Sequence, residues 1–239
     1  MKVLLIIPSF NEEKNVLKNY SKIIEYNKKS KIKYDVIVID DGSTDMTKEI
    51  CISNNIPHIS LLHNLGIGGA VQTGYKYALL NKYDIAVQFD GDGQHDINYV
   101  KDIIMPIESG ESDMVIGSRF VDGKSSKFKS SKSRQFGIKI ISFFIKLVTG
   151  KRIHDTTSGF RAVNSKIIKL FSESYPSEYP EPVSTVDIIK KGFKVKEVPV
   201  SMNERENGKS SIHSWKNVYY MVNVILSIII TRGGCKKWV

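Results

Sequence analysis

The chain has 239 residues, 41% of them hydrophobic, with a formal net charge of +10 and a pI of about 9.4. That length and apolar share support one large α/β domain, or a domain with a small appendage, and exclude disorder of the whole chain. The basic balance points to an anionic partner, whether nucleotide phosphates, nucleic acid or an acidic membrane surface, while two unpaired cysteines, Cys51 and Cys235, argue against a disulfide framework and for a reducing cytoplasm.

Residues 3–7 (VLLII) are a continuous apolar run, as in a strand buried on both faces, and lack the length and cleavage site of a signal peptide. Residues 8–11 break the run. Val16, Leu17, Tyr20, Ile23 and Ile24 then recur at helical spacing. Residues 36–39 read as a second strand, followed by Ser43, Thr44 and Asp45 as candidate helix caps. Residues 59–62 are a weaker third strand. Glycines 66–69 open a helix through Val71, Tyr75 and Ala78; residues 85–89 form a fourth strand. Val100, Ile103, Ile104 and Ile107 mark another helix, and residues 114–117 a fifth strand. The alternation predicts an α/β fold: a Rossmann-like, mostly parallel sheet with helices on both faces, binding its ligand beyond the carboxyl ends of the strands.

The second half reads differently. Residues 124–134 (KSSKFKSSKSR) look like a mobile loop. In the helix that follows, Lys132, Gln135, Lys139, Ser142, Lys146 and Thr149 form a narrow, largely basic stripe beside a wide apolar arc. That pattern suits a core helix with one solvated edge or a helix lying in a membrane interface. Residues 218–230 are nearly all apolar but fall short of the roughly 20 needed to span hydrocarbon, so a docked or interfacial helix is expected. Arg232, Lys236, Lys237 and Trp238 in the tail suit a membrane interface or a solvated end. The expected division is residues 1–212 as the main domain and 213–239 as an apolar helix with a basic tail.

Chemistry gathers just after the strands. Asp90-Gly91-Asp92 places two carboxylates one residue apart at a strand end, where they repel unless a hard divalent cation such as Mg²⁺ or Mn²⁺ offsets the charge. Gln94 and His95 are near enough in sequence to join its shell. Asp40 and Asp41 can accept hydrogen bonds from a ribose or a base N–H. The glycines of HNLGIGGA can cradle a phosphate at a helix start, yet the segment is neither a P-loop nor a first-strand dinucleotide fingerprint. The histidines show no zinc spacing, and no nucleophilic triad is legible.

Taken in order, PSFNEEKNV, DDGSTD, HNLGIGGA, QFDGDGQH, GSRF, TTSGFRA and EVPV followed by RENGKSS resemble the family 2 glycosyltransferases. The likeness is greatest to the dolichol-phosphate mannose synthases and their bacterial polyprenyl-phosphate relatives, and runs from residue 8 to about residue 211. It implies a GT-A fold, a UDP- or GDP-sugar donor, a polyprenyl phosphate or cell-surface glycan acceptor, and inversion at the anomeric carbon. By that likeness Pro8, Ser9, Asn11, Glu12, Asp40 and Asp41 line the nucleoside pocket. Gly66, Gly69 and Ala70 pack by the base and ribose, and Gly91 lies on the donor. Asp90, Asp92 and Gln94 hold the metal and diphosphate, and Arg119 and Arg161 sit near the phosphates or acceptor. Arg205 and Lys209 belong to a loop that closes over the donor. The adjacent Glu-Asp pair of many family members is absent, so Asp155 and Glu181 are the candidate bases. The same likeness implies a peripheral enzyme at the cytoplasmic face of the membrane, with room for a homo-oligomer. A nucleotidyltransferase would place a basic glycine-rich loop after the first strand, where this chain has the acidic PSFNEE. A nucleic-acid-binding module is permitted by the charge but has no recognisable fold behind it.

Overall fold

The structure is a computed structural model that describes residues 1–121, 132–202 and 214–231. Its centre is a seven-stranded sheet. The strands are β1 (Val3–Ser9), β2 (Asp35–Asp40), β3 (His58–Ser60), β4 (Ile85–Gln88), β5 (Met114–Ser118), β6 (Arg161–Asn164) and β7 (Val195–Pro199). They lie in the order β3-β2-β1-β4-β6-β5-β7, all parallel except β6, which runs antiparallel to both β4 and β5. Every residue of β1 is buried, as its unbroken apolar sequence requires. The strand runs through Pro8 to Ser9, two residues past the expected break. Pro8 is tolerated because β1 pairs with β4 only over Val3–Ile6, so the missing N–H falls where that ladder has already ended.

Helices cover both faces. On one side, α1 (Val16–Lys29), α2 (Thr47–Ser53) and α4 (Val100–Glu108) enclose a core containing Leu5, Val38, Val87, Ile103 and Phe160. On the other side lie α3 (Gly66–Leu80), α5 (Lys132–Thr149), α6 (Ser165–Glu173), α7 (Pro180–Lys190) and α8 (Ser214–Ile230), over Ile6, Ile39, Tyr75, Ile116 and Phe171. Val224 and Ile228 of α8 are fully buried in this same core beside Ile141 and Ile145 of α5, each adding about 1.5–3 kcal/mol. The expected helix of the C-terminal appendage therefore packs into the main body.

Both faces of α5 were anticipated in part. Ile138, Ile141 and Ile145 are buried, and so is Ser142, which the polar stripe had put in solvent. Gln135, Lys139 and Lys146 are exposed, and next to them so are Phe136, Phe143 and Leu147 at 61–68%. In α8, Val222, Leu226, Ile229 and Ile230 are also exposed. Among the described residues no helix is long and apolar enough to cross a membrane. Residues 124–131 of the expected loop, Arg205, Lys209 and the basic tail lie outside the described residues.

Chain order sets the site. From β1 the sheet grows outward through β2 to β3, and α3 then carries the chain back to β4 on the other side of β1. The carboxyl ends of β1 and β4 thus flank a topological switch point, where a crevice opens.

Candidate active site

The loops after β1 and β2 are stitched into one frame. Asn11, at φ 55°, accepts from the Thr44 N–H at 2.9 Å, and its own N–H donates to the Ser43 hydroxyl at 2.9 Å. The Glu12 N–H donates to Thr47 Oγ1 at 2.9 Å, and the Glu13 N–H to Asp45 at 3.1 Å. Asn11 and Glu12 thus hold the pocket wall together, with the Glu12 carboxylate accepting from Asn15. Asp45, just before α2, accepts from the Thr47 N–H, but the N-cap position itself is Met46, not Ser43, Thr44 or Asp45 as expected, and carries no side-chain cap.

Asp40 and Asp41 are both buried at the end of β2. Asp40 accepts from the Ser43 N–H at 3.0 Å and Asp41 from the Leu65 N–H at 2.8 Å, which ties the HNLGIGGA turn to the sheet. Pro8 and Ser9 end β1 beside β2, where the Asp41 N–H donates to the Ser9 carbonyl, Gly66 donates its N–H to Asp41, and Gly69 and Ala70 lie in the first turns of α3. Burial, reinforced by the neighbouring Asp40 charge, raises the pKa of Asp41 against the lowering effect of its backbone donors. A carboxyl whose folded pKa is raised binds its proton more tightly in the folded chain. Stability therefore falls as pH rises from the ordinary carboxylate range through the raised value. Asp41→Asn keeps an acceptor for Leu65 and is expected to raise the melting temperature at pH 7 but not near about pH 3. An equal gain at both pH values would show that the charge is not the cause.

The chain after β4 holds the acidic turn. The Gly91 carbonyl accepts from the Asn19 side chain, and a Cβ on Gly91 would lie 3.0 Å from the Pro8 carbonyl, so the turn presses on the end of β1. Asp92 is 8% exposed and accepts from the Gln94 N–H at 3.1 Å. The Asp90 side chain is 29% exposed and takes a different direction, toward His95. The His95 ring does not join a ligand shell as anticipated: its Nδ1 accepts from the Asp90 N–H at 2.9 Å, and its Nε2 lies 3.4 Å from Asp90 Oδ2. Burial lowers the His95 pKa to about 4, so the ring is neutral at physiological pH.

A second cluster lies close enough for its charges to act on His95. Arg119, following β5, donates through Nε and Nη2 to the two oxygens of Asp155, both at 2.8 Å, and its backbone N–H adds a third bond at 3.0 Å. Asp155 is fully buried, and its N–H donates to Glu197 on β7 at 2.8 Å. Glu197 also accepts from the N–H and Nδ1 of His154 at 2.8 and 2.9 Å. Asp155 is thus the anchor of Arg119, with its oxygens engaged.

Arg161 is 1% exposed and faces the core. Its guanidinium donates to the Glu181 carbonyl at 2.7 Å and to the Ser184 and Thr185 hydroxyls at 3.2 and 3.0 Å. It pins the first turn of α7, which starts after Tyr179 at φ 50° with Pro180 as its first residue. This places Glu181 below the acidic turn. Burial raises the Glu181 pKa, with Asp90 adding to the rise and Arg161 and Gln88 opposing it. Sequence reasoning missed two members of this floor: Gln88, buried at the end of β4, and Gly159, where a Cβ would lie 2.9 and 3.0 Å from the Asp90 oxygens. Arg205 and Lys209 are not among the described residues.

Among the described residues no group of three or more His, Cys, Asp or Glu side chains could hold a metal ion. Two hard carboxylates, Asp90 and Asp92, remain. That donor set fits a cation that takes its other ligands from water and a substrate's phosphates.

A sheet of this topology, with acidic strand ends at its switch point and an arginine anchored after β5, defines a GT-A-like fold. The chain belongs to glycosyl transferase family 2, whose sequence model matches residues 4–171, and it is a glycosyltransferase. It is 34% identical over 218 residues to the UDP-N-acetylglucosamine–dolichyl-phosphate N-acetylglucosaminyltransferase of Methanococcus voltae, covering 83% of this chain and 84% of that one. With the undecaprenyl-phosphate mannosyltransferase of Micrococcus luteus it shares 28% identity over 223 residues, covering 89% of this chain and 88% of that one. The fold is similar to that of glucosyl-3-phosphoglycerate synthase from Mycobacterium tuberculosis, solved with Mn²⁺, UDP and phosphoglyceric acid. The TM-score is 0.70 at 17% identity, covering 99% of this chain and 80% of that one.

Proposed function

We propose that this protein transfers a sugar from a nucleoside-diphosphate sugar to a polyprenyl phosphate at a membrane surface, with Mg²⁺ or Mn²⁺ held by Asp90 and Asp92. The observation that carries the reading is the acidic turn at the switch point, with the buried Arg119–Asp155 pair near enough for its charges to act on His95 of that turn. The relatives named for dolichyl and undecaprenyl phosphates support the acceptor, and the fold neighbour solved with Mn²⁺ and UDP supports the donor and the metal.

The chemistry follows from charge. An acceptor phosphate oxygen attacks the anomeric carbon, the sugar–phosphate bond breaks, and the electron pair leaves with the nucleoside diphosphate. A divalent cation, when bound, stabilises the negative charge growing on that leaving group. Within the chain, Asp90 and Asp92 supply the cation's protein ligands. The frame of Asn11, Ser43 and Thr44 shapes the nucleoside wall. Arg119, fixed by Asp155, adds positive charge that needs no rearrangement at the moment of reaction. A phosphate acceptor is already ionised, so its attack needs no base. A glycan hydroxyl would need a base, and among the described residues Asp155 is engaged by Arg119.

A cavity of about 160 Å³ beside Arg119, lined by Phe120, Lys139, Ser142, Arg152 and His154, offers cationic side chains next to apolar ones, as a lipid phosphate requires. It abuts the α5 face that exposes Phe136, Phe143 and Leu147 with Lys139 and Lys146. We place that face on an anionic membrane surface. Replacing Lys139 and Lys146 with Glu is expected to weaken binding to phosphatidylserine vesicles by about 2–4 kcal/mol, roughly 1 for each lysine lost and more for the reversal. Undiminished vesicle binding would return the face to solvent. The reading as a whole is tested by thermal-shift titration with UDP and with GDP, each with and without Mn²⁺. Stabilisation by one of them only when metal is present is the expected result and identifies the base; no shift with either removes the donor assignment.

A further inference from the structure

We propose that His95 is a positioning residue that sets the Asp90 carboxylate for its cation, acting as one wall of a slot whose other wall is Gly159. The inference rests on the metal site proposed above and adds a residue that binds neither cation nor substrate. Both nitrogens of the His95 ring address the same residue. Nδ1 accepts from the Asp90 N–H at 2.9 Å, which puts the ring proton on Nε2, 3.4 Å from Asp90 Oδ2. The ring cannot turn away: it stacks on Phe160 at 4.6 Å and 20°, and meets Phe89 edge-on at 5.6 Å. The opposite wall is backbone, since a Cβ on Gly159 would fall 2.9 and 3.0 Å from the two Asp90 oxygens.

Asp90 is the last point of support before the acidic turn, and its strand has ended at Gln88. A carboxylate there would sample several rotamers, each presenting a different oxygen to the crevice. The slot leaves it one, with the 29% exposed side open to a ligand. Gly159 and Phe160 precede β6, so the antiparallel strand brings this wall from a distant segment to the end of β4. Partners of this kind orient metal ligands without touching the metal.

The test measures Mn²⁺ binding, by the loss of the free-ion electron paramagnetic resonance signal, in the presence of UDP and of GDP. His95→Phe keeps the stacked ring and removes both nitrogens. His95→Asn keeps an acceptor where Nδ1 was. The expected result is Mn²⁺ affinity weakened about 10–100-fold both in His95→Phe, which keeps the wall but no nitrogen, and in His95→Asn, which has neither the ring wall nor Nε2, with metal-free nucleotide affinity unchanged in both. Parent-like Mn²⁺ affinity in His95→Phe, even with a lowered melting temperature, would overturn the proposal and make the ring packing alone. Parent-like affinity in His95→Asn would also overturn it, because an acceptor for the Asp90 N–H would then suffice and neither the ring wall nor Nε2 would set the carboxylate. Gly159→Ala reads the other wall and is expected to weaken Mn²⁺ likewise; unchanged affinity there removes the slot. If the parent protein itself shows no Mn²⁺ uptake with either nucleotide, the metal site fails and the role of His95 with it.

Discussion

Asp92→Asn is expected to abolish metal-dependent stabilisation by nucleotide and to slow sugar transfer by roughly three orders of magnitude, while raising the melting temperature of the ligand-free protein. The two effects have one cause. In the absence of a cation, Asp90 and Asp92 are like charges on adjacent arms of one turn, and Asp92 is 8% exposed, so solvent screens it little. Removing one charge relieves that repulsion. With the cation bound, the same charge is an attraction, and several kcal/mol of stabilisation of the leaving diphosphate goes with it; about 4 kcal/mol corresponds to a factor near 10³. Asn also preserves an acceptor for the Gln94 N–H, so the turn should keep its shape. Opposite signs for stability and activity distinguish this from general damage. A variant that loses activity and melting temperature together would assign Asp92 to the architecture of the turn.

The apolar runs of β1, β2, β4 and β5 were legible because buried parallel strands admit little else, and their ends located the acidic turn, the Asp40–Asp41 pair and the GSRF arginine. What stayed hidden was pairing across the fold. β6 is four residues long and begins with a buried arginine, so neither length nor hydropathy marks it as a strand. Its antiparallel insertion decides which way TTSGFR faces. Arg161 turns inward to the first turn of α7 and Gly159 lies against Asp90, although both belong to one motif. Ser142 shows the limit of periodicity: it kept the stripe regular on paper, yet lies inside while Phe143 is exposed, because it faces Phe120, Arg152 and His154, which come from elsewhere in the chain. Asp155 and Glu181 looked equivalent as carboxylates. Only the fold shows that one holds an arginine and the other sits in a desolvated floor.

Asp155→Ala is expected to cost about 3–5 kcal/mol of stability, a large part of the 5–15 typical of a folded domain, because it removes the carboxylate that balances the buried Arg119 charge and leaves the neutral Thr157 hydroxyl in its place as an acceptor. Arg119 is 7% exposed and Asp155 fully buried, so water cannot substitute for the lost bonds. A base acting on the acceptor would behave otherwise: its removal would stop transfer and leave the melting temperature near the parent value. The double variant Arg119→Met with Asp155→Leu separates stability from catalysis. Replacing both charges with apolar groups of similar size removes the desolvation cost along with the attraction, so stability should recover to near the parent level. Transfer should not recover, since the positive charge proposed to stabilise the leaving diphosphate is gone. Arg119→Lys should fall between, because one ammonium cannot bridge both Asp155 oxygens, which Arg119 holds at 2.8 Å each. If the double variant transferred sugar at the parent rate, the pair would serve the fold alone, and the charge opposing the leaving group would have to come from elsewhere in the crevice.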